Sequence, residues 1–446
     1  MKESFRKISG SVCAPRGFKA AAVFCDIKKL GTGKGSEKGG KRDLGLIVSD
    51  VPAAVAGVFT SNQVCAAPVK VSAEIAKRKS ARAIVVNSGN ANACTGNQGL
   101  RDAKAMARIT ASYLNNTSGK LDRFKRSSLF PAEIVAHDVL VCSTGRIGVP
   151  MSMKNVIRGI RACAPLLSRS AAAARNAAEA IMTTDSRRKE IAVEFEIDNK
   201  TVRIGGICKG AGMIQPGMAT MLAFIMTDAA IESAALKRAL KIAVGQSFNR
   251  ITVDGDMSTN DSVIVLANGL AKNREIKLDR LKRSSFQGGL SYVCLELAKM
   301  IVRDGEGTSR FITLHVSGTR NGFEAEAAAR AIANSSLVRT SWCGGDPNWG
   351  RILCALGYSK ANVDERLVDV GYAAPGSRKI LFAFRRGRPT DVALKTLAKI
   401  TSASEFDLHV DLHRGAGEFT LYASDLTEDY VAFNKGDVTD PTTLGG

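Results

Sequence analysis

The sequence predicts an α+β protein, because segments with strand periodicity and segments with helix periodicity are mixed without a regular strand-helix-strand rhythm. Residues 191–197 alternate apolar and polar side chains, and after a turn at 198–200 a return strand runs through Val202 and Ile204. A second alternating pair, 406–412 and 418–422, flanks a glycine-containing turn at 414–417. Both halves of the chain are therefore expected to contribute strands.

Helices are predicted between these strands. Residues 231–244 place apolar side chains on one face of a helix and basic side chains on the other. The alanine-rich segments 171–181 and 324–332 favour helix by intrinsic propensity. These predicted helices, mixed with the predicted strands, support the α+β class.

Composition excludes several classes of protein. Of the 446 residues, 45% are hydrophobic, which is enough for a large core. No apolar run is long enough to cross a bilayer, and the first ten residues lack the apolar region of a secretory signal, so a cytoplasmic protein is expected. The ten cysteines are scattered without a CxxC pair, which argues against structural zinc and favours reduced thiols used as small core residues.

The net charge of +21 raises the alternative of a nucleic-acid-binding protein. The basic residues, however, occur in short clusters, at 28–29, 77–79, 187–189 and 385–386. Only 6% of the residues are aromatic, so no stacking platform for bases accompanies them. A solvated basic surface is the preferred interpretation.

The segment 209–226 carries the most chemical information. Three glycines and Pro216 make its first part rich in turns, whereas residues 221–226 are an apolar run typical of a buried strand. Thr220 stands between the two parts. A hydroxyl at such a point can attack the preceding carbonyl, that of Ala219, and the resulting N-terminal threonine carries an α-amine that serves as its own general base. From these residues alone, a structural threonine at the start of a strand is the preferred interpretation, and self-processing is the alternative.

Two further motifs resemble ligand sites incompletely. Residues 35–41 have the spacing of a phosphate-binding loop, but Arg42 replaces the Ser or Thr that would bind magnesium, and a flexible basic loop is preferred. Residues 254–256 with 260–261 offer several oxygen atoms but lack the spacing and terminal Glu of a calcium-binding EF-hand. A turn that helps to order the site is preferred there.

Several long segments, in one order, resemble the ornithine acetyltransferase family, also called glutamate N-acetyltransferase. They span nearly the whole chain and include the glycine-rich segment around Thr220. The matching segments are 43–50, 56–62, 87–96, 143–148, 209–224, 248–256 and 345–352.

The resemblance implies roles for individual residues. Thr220 is expected to be the nucleophile that takes the acetyl group from N-acetylornithine and passes it to glutamate, after cleavage between Ala219 and Thr220. Thr144 and Gly145 match the oxyanion-hole pair, although by themselves residues 143–145 indicate an ordinary strand-ending turn. The substrate contacts map onto residues able to bind an acylated amino acid, namely Thr183, Lys209, Thr220, Glu306, Asn434 and Thr439.

The resemblance also implies the assembly and the cofactor requirement. Residues 1–219 and 220–446 are expected to remain associated after cleavage as an α2β2 heterotetramer. The implied fold is an α+β sandwich of helix and sheet layers, like that of self-processing N-terminal-nucleophile acetyltransferases and aminopeptidases. No metal or bound organic cofactor is expected, since the threonine holds the acetyl group covalently, but acetyl-CoA is possible as a co-substrate.

The family pattern weakens at the C-terminus. Residues 434–439 lack the usual aromatic, and 441–446 extend beyond the customary end, so Thr442 or Thr443 could replace Thr439. The rival functions are a self-processing aminopeptidase or amidase and a basic nucleic-acid-binding protein.

Overall fold

The computed structural model describes residues 5–28, 41–118, 133–215 and 221–435. Within these ranges sixteen strands form one sheet of nine strands and one of seven, with helices packed against both. This arrangement confirms the predicted α+β class. None of the helices in these ranges combines the length and apolar character needed to cross a membrane.

The nine-stranded sheet has the order β1-β6-β7-β8-β10-β3-β4-β5, with β2 paired to β3. Its strands are β1 (Arg6–Lys7), β2 (Phe18–Val23), β3 (Leu44–Phe59), β4 (Ser80–Asn90), β5 (Val139–Arg146), β6 (Lys189–Ile197), β7 (Lys200–Lys209), β8 (Leu222–Thr227) and β10 (Ser262–Ala267). Every residue of β8 is buried, as the apolar run at 221–226 predicts, and every residue of β10 is buried as well. The sheet is therefore covered on both faces at its centre.

Strands β6 and β7 form the predicted hairpin, with Ile197 opposite Lys200. The two loop residues, Asp198 and Asn199, have φ of 49° and 59°. Positive φ at both positions matches the right-handed twist of the strands, and Asp and Asn tolerate it better than most residues.

Helix pairs cover the two faces of this sheet. On one face α5 (Ser233–Gly245) and α6 (Ser285–Arg303) pack Leu236 and Leu297 against Ile225. On the other, α1 (Ala67–Ala76) and α4 (Ala171–Ala180) pack small side chains against Phe224. Further along the sheet α2 (Gly96–Ser118) and α3 (Met153–Cys163) bury another core. Six of the ten cysteines are buried, in agreement with their predicted use as small core residues.

The seven-stranded sheet has the order β14-β13-β12-β15-β11-β16-β9. Its strands are β9 (Ile251–Thr252), β11 (Phe311–Thr319), β12 (Asp369–Ala373), β13 (Leu381–Arg385), β14 (Arg388–Pro389), β15 (Glu405–Asp411) and β16 (Gly417–Ser424). The two predicted C-terminal strands exist as β15 and β16, but they do not pair with each other. Strand β11 lies between them, parallel to β15 and antiparallel to β16.

Helices cover one face of the second sheet. Leu314, Leu408 and Leu421 pack there against α7 (Gly322–Asn334), which confirms the predicted alanine-rich helix. The helices of this half are completed by α8 (Ser336–Cys343), α9 (Trp349–Gly357), α10 (Leu394–Thr401) and α11 (Glu428–Asn434).

The basic clusters divide into two kinds. Residues 77–79 and 385–386 are exposed, as a solvated basic surface requires. In contrast, Lys28 is buried, and only 1% of the Lys189 side chain is exposed. The prediction of a solvated surface is therefore wrong for these two lysines, because each fills a polar position inside the fold. Lys28 Nζ donates to the Arg42 carbonyl at 2.7 Å, and Lys189 belongs to the charge network described next.

Candidate active site

Four predicted substrate-binding residues, Thr183, Lys209, Glu306 and Asn434, lie in or near the segment 209–212, which begins at the last residue of β7. Lys209 ends that strand, and its buried ammonium donates a hydrogen bond of 2.6 Å to Thr183 Oγ1. Lys209 Nζ also lies 3.9 Å from Asp185 Oδ2. The structure thus brings together two predicted residues, Thr183 and Lys209, that the sequence separates.

Glu306 and Asn434 form the second pair. Asn434 Nδ2, at the end of α11, donates to Glu306 Oε2 at 2.9 Å. The Glu306 amide donates to the Ala211 carbonyl at 2.9 Å, and the Glu306 carboxylate occupies the space where a Gly212 side chain would begin. A glycine at 212 is therefore required for the carboxylate to approach the backbone.

A buried charge network supports Lys209. Asp185 accepts hydrogen bonds from Lys189 Nζ at 2.6 Å and from the Gly210 amide at 2.7 Å. Lys189 Nζ also donates to Asp304, which in turn accepts from the Ser186 amide at 3.1 Å. The side chains of Asp185, Lys189 and Asp304 are each no more than 2% exposed.

The pKa values in this network follow from its geometry. Burial alone raises the pKa of Asp185, but Lys189, Lys209 and the Gly210 amide hold it well below the ordinary carboxyl value. Burial lowers the pKa of Lys209, and Asp185 offsets only part of that effect. For Lys189, burial is outweighed by Asp185 and Asp304, so that its pKa is raised.

Thr144 and Gly145, the predicted oxyanion pair, are half-buried and lie near the end of β5. The expectation of an ordinary strand-ending turn at 143–145 is wrong, because both residues remain paired to β4, opposite Ser88 and Gly89. Gly145 has φ of 127°, and a side chain there would overlap the Gly89 carbonyl carbon. Close approach of two backbones therefore requires glycine.

Asn260 and Asp261 connect this strand to the start of β8. Asn260 Nδ2 donates to the Ser143 carbonyl at 2.9 Å, directly before Thr144. Asp261 Oδ1 accepts from the Met221 amide at 2.8 Å. Within the described ranges, Thr144 and Gly145 share no hydrogen bond with the four predicted substrate-binding residues. Asn260 and Asp261 instead join the end of β5 to Met221, directly before β8.

Three of the predicted site positions, Ala219, Thr220 and Thr439, lie outside the described residues, as do Thr442 and Thr443 and residues 35–40 of the phosphate-loop-like segment. The predicted cleavage and the nucleophile therefore stay predictions.

The oxygen-rich segment 254–256 forms the predicted turn. The Asp254 carboxylate accepts from the amides of Ile214, at 2.7 Å, and Asp256, at 3.2 Å, and Gly255 has φ of 86°. Asp254 also accepts from the Met213 amide, so the turn holds residues 213 and 214 in place.

One group in the part of the chain that the structure describes could hold a metal ion. Ligand atoms of His315, Asp407 and His409 lie within 4.8 Å of one another, on β11 and β15 of the second sheet. None of the three is a predicted site residue. The expectation that the chemistry needs no metal or cofactor stays a prediction.

The sequence reasoning missed the residues that support the site. Lys189 falls in the basic cluster 187–189, which is predicted to be solvated, and no local sequence pattern distinguishes Asp185 or Asp304. Asn260 and Asp261 did stand out as adjacent oxygen-bearing residues before an apolar strand, but their pattern suggested a turn. Burial alone distinguishes them, and a single sequence does not reveal it.

Comparison with known proteins identifies the family of this chain. A model of the ArgJ family matches residues 20–437. The arginine biosynthesis bifunctional protein ArgJ of Symbiobacterium thermophilum is 45% identical over 427 residues, covering 96% of this chain and 98% of that protein. The glutamate N-acetyltransferase of Methanocaldococcus jannaschii is 43% identical over 436 residues, covering 96% and 98%. A crystal structure of the ArgJ protein from Bacillus halodurans is 39% identical and aligns with a TM-score of 0.45 over 47% of this chain and 97% of that one. The chain belongs to the ArgJ family.

Proposed function

We propose that this protein transfers an acetyl group from N2-acetylornithine to glutamate, giving ornithine and N-acetylglutamate in arginine biosynthesis. The activities named for its relatives in S. thermophilum and M. jannaschii support this assignment. The observation that carries it is the placement of opposite charges at the same short segment: Lys209 is its first residue, and Glu306 contacts its residues 211 and 212.

These two charges suit an acylated diamino acid. The Lys209 ammonium has three donors, of which one goes to Thr183, so it can also bind a substrate carboxylate. The Glu306 carboxylate receives Asn434 on Oε2 and can accept the side-chain ammonium of ornithine on Oε1. Glutamate would reuse the Lys209 contact, since it also carries an α-carboxylate.

The proposed nucleophile is generated by cleavage of the chain. Thr220 Oγ attacks the Ala219 carbonyl carbon, the C–N bond breaks as the ester forms, and the nitrogen takes the hydroxyl proton. Water then hydrolyses the ester, which leaves an Ala219 carboxylate and a free Thr220 amine.

Turnover follows the same logic. Thr220 Oγ attacks the acetyl carbonyl, and the Thr220 amine carries the hydroxyl proton to the departing ornithine nitrogen. The amine of glutamate then attacks the acetyl ester and restores the hydroxyl. The amides of Thr144 and Gly145 are the proposed donors to the oxyanion in each step.

Contacts across the proposed cut support continued association of the two segments. Strand β8 lies between β7 of the first segment and β10 of the second, with Lys209 opposite Leu222. Lys189 of the first segment also binds Asp304 of the second. We propose that residues 1–219 and 220–446 stay together and assemble as α2β2.

The test combines processing and turnover. Intact mass of the wild type should show two fragments, the second starting at Thr220, whereas Thr220→Ala should stay whole. The wild type should release ornithine from N-acetylornithine and form N-acetylglutamate only when glutamate is present. A parallel assay with acetyl-CoA in place of N-acetylornithine tests whether acetyl-CoA is also an acetyl donor. Hydrolysis of peptide amides without N-acetylglutamate formation would instead indicate an aminopeptidase, and an uncut wild type would overturn the proposed mechanism.

A further inference from the structure

Two histidines and an aspartate lie together on one face of the second sheet. In the parallel pair β11 and β15, His315 is directly opposite His409, and their rings stack with centroids 4.7 Å apart. Asp407 precedes His409 by two residues on β15, so it shares the same face. One ligand atom from each of the three residues lies within 4.8 Å of the other two. Two imidazoles and a carboxylate therefore meet at one point.

This face of the sheet is the one turned away from α7. Leu314 and Leu408 pack against α7, and side chains alternate between the two faces along a strand. His315 and His409, the next residue on each strand, are half-buried, and Asp407 is only 5% exposed. The cluster is thus largely shielded from water without being part of the apolar core.

One atom of the cluster has an unmet requirement. His409 Nε2 is fully shielded and has no hydrogen-bond partner in the part of the chain that the structure describes. The stacked ring of His315 presents its face to His409 and so supplies neither a donor nor an acceptor. Buried polar atoms are normally paired, so the orphaned nitrogen points to a ligand.

The other two side chains are held in place by neighbours outside the cluster. Asp407 Oδ2 accepts the Gly376 amide at 2.7 Å, which leaves the other carboxyl oxygen to bind an ion. His315 Nδ1 lies 3.2 Å from Thr420 Oγ1, on the adjacent strand β16. Residues that bind metal ions are generally oriented by hydrogen bonds of this kind from surrounding residues. The cluster therefore has the support that a metal site requires.

The donor atoms indicate which ion fits. Imidazole nitrogens favour zinc and similar first-row transition metals, whereas Mg²⁺ and Ca²⁺ prefer oxygen ligands alone. Two imidazoles with one carboxylate provide three protein ligands, and water supplies the fourth position of a tetrahedral site. Zinc holds its ligand atoms at about 2.0–2.2 Å, which places them about 3.3–3.5 Å apart. Small side-chain rotations that bring the three atoms at most about 1.5 Å closer together complete the site.

We propose that His315, Asp407 and His409 bind a divalent transition-metal ion of the zinc type, which joins β11 to β15. Its role is structural. These strands are far apart in the sequence and meet only in the folded chain, so the ion binds the folded state and stabilises it. Thr144 and Lys209 belong to the other sheet, and the ion takes no part in acetyl transfer. The inference does not depend on the proposed function.

The experiment measures Zn²⁺ binding to the untagged, full-length protein after metals have been removed with a chelator. His409→Gln removes the unpaired nitrogen. His413→Gln is the matched control, because His413 is also half-buried beside two carboxylates, Asp369 at 3.0 Å and Asp411 at 3.6 Å, but lies outside the cluster. Competition with a chromophoric chelator gives the zinc affinity of each chain, and melting temperatures are measured with and without zinc.

Wild type and His413→Gln should each bind one more zinc ion tightly than His409→Gln. Zinc affinity at that site should fall by more than about 100-fold in His409→Gln, since loss of an orienting partner alone costs about 10- to 100-fold. Zinc should raise the melting temperature of the wild type and of His413→Gln, but not that of His409→Gln. Mg²⁺ and Ca²⁺ at the same concentrations should have no such effect.

Exposed thiols such as that of Cys94 are competing zinc ligands in this chain. Co²⁺ is the probe that distinguishes them, because its visible absorption reports the ligand type. The Co²⁺ absorption that is lost in His409→Gln should contain no thiolate charge-transfer band. Equal zinc affinity in wild type and His409→Gln would overturn the inference, as would a His409-dependent spectrum with thiolate character or a wild type that binds no zinc.

Thr420→Val covers the case in which His409→Gln does not fold, because it removes only the hydroxyl that contacts His315. It should weaken zinc binding by about 10- to 100-fold, whereas Thr420→Ser, which keeps the hydroxyl, should bind zinc like the wild type. In that case, the same zinc affinity in Thr420→Val and Thr420→Ser would overturn the inference.

Discussion

Lys209 Nζ donates a 2.6 Å hydrogen bond to Thr183 Oγ1, which joins positions 26 residues apart in the sequence. The bond matters because Lys209 is otherwise a buried cation whose nearest carboxylate, Asp185, is 3.9 Å away. The hydrogen bond to Thr183 orients the Lys209 ammonium and uses only one of its three N–H donors. Such a group is suited to a substrate carboxylate.

Replacement of Lys209 by Met should lower kcat/KM for N-acetylornithine by about 10- to 100-fold, the loss typical of one hydrogen bond to a charged group. Steady-state assays of Lys209→Met, beside the exposed control Lys77→Met, measure this effect. An unchanged kcat/KM in Lys209→Met would show that the substrate carboxylate binds elsewhere.

Affinity should also depend on pH through Lys209. Burial lowers the pKa of Lys209 below 10.5, so that its charge is lost at lower pH than that of an exposed lysine. The KM for N-acetylglutamate, a donor without a titrating amine, should therefore rise as the pH increases towards that pKa. Lys209→Arg should remove the rise, because arginine stays charged. The same alkaline rise in Lys209→Arg would exclude Lys209 as its source.

Lys189→Met should lower the free energy of unfolding by about 3–5 kcal/mol, since it leaves the buried carboxylates of Asp185 and Asp304 without their shared cation. Urea unfolding at neutral pH is the measurement. The control, Lys77→Met, affects a largely exposed pair with Glu74 and should change stability by less than about 0.5 kcal/mol. Equal effects of the two substitutions would contradict the buried network.

Glu306→Gln should impair the use of ornithine more than the use of glutamate, because only ornithine carries a side-chain ammonium. With the acetylated enzyme and each acceptor in turn, the rate with ornithine should fall by about 10-fold or more, and the rate with glutamate by less than about 3-fold. Asn434→Ala, which removes an exposed partner of Glu306, should have the smaller effect on both. Equal losses with both acceptors would instead indicate a structural role for Glu306.

Gly145→Ala should destabilise the protein by more than about 2 kcal/mol and abolish acetyl transfer, since the added methyl group meets the Gly89 backbone. Gly148→Ala is the control that distinguishes the effect of this clash on stability from the effect of positive φ. Gly148 also has positive φ, 81°, but has open space around it, so its replacement should lower stability by only about 1–2 kcal/mol. Urea unfolding and transfer assays of both variants decide the matter, and similar values for the two would remove the clash from the explanation.

The prediction of the C-terminal strands shows where sequence reasoning stops. The alternation of apolar and polar side chains located both β15 and β16, because it reflects which face of a strand is buried. This alternation contains no information about which strands pair. Strand β11, which lies between β15 and β16, comes from about a hundred residues earlier in the chain. The turn at 198–199 was predictable for the opposite reason, since its partners are adjacent in the sequence.

The candidate site divides in the same way. The sequence by itself indicated the family, because the segments around Thr144 and Lys209 are long and specific, and the family in turn suggested the roles proposed for the site residues. It also determined the buried strand after Thr220, through local hydrophobicity. Only the tertiary structure decided that Lys189 lies between Asp185 and Asp304, and that Asp261 reaches Met221 with one oxygen left over. Burial and pairing of charges arise when distant segments pack together, and a local pattern of residues cannot specify which charges will lose their water.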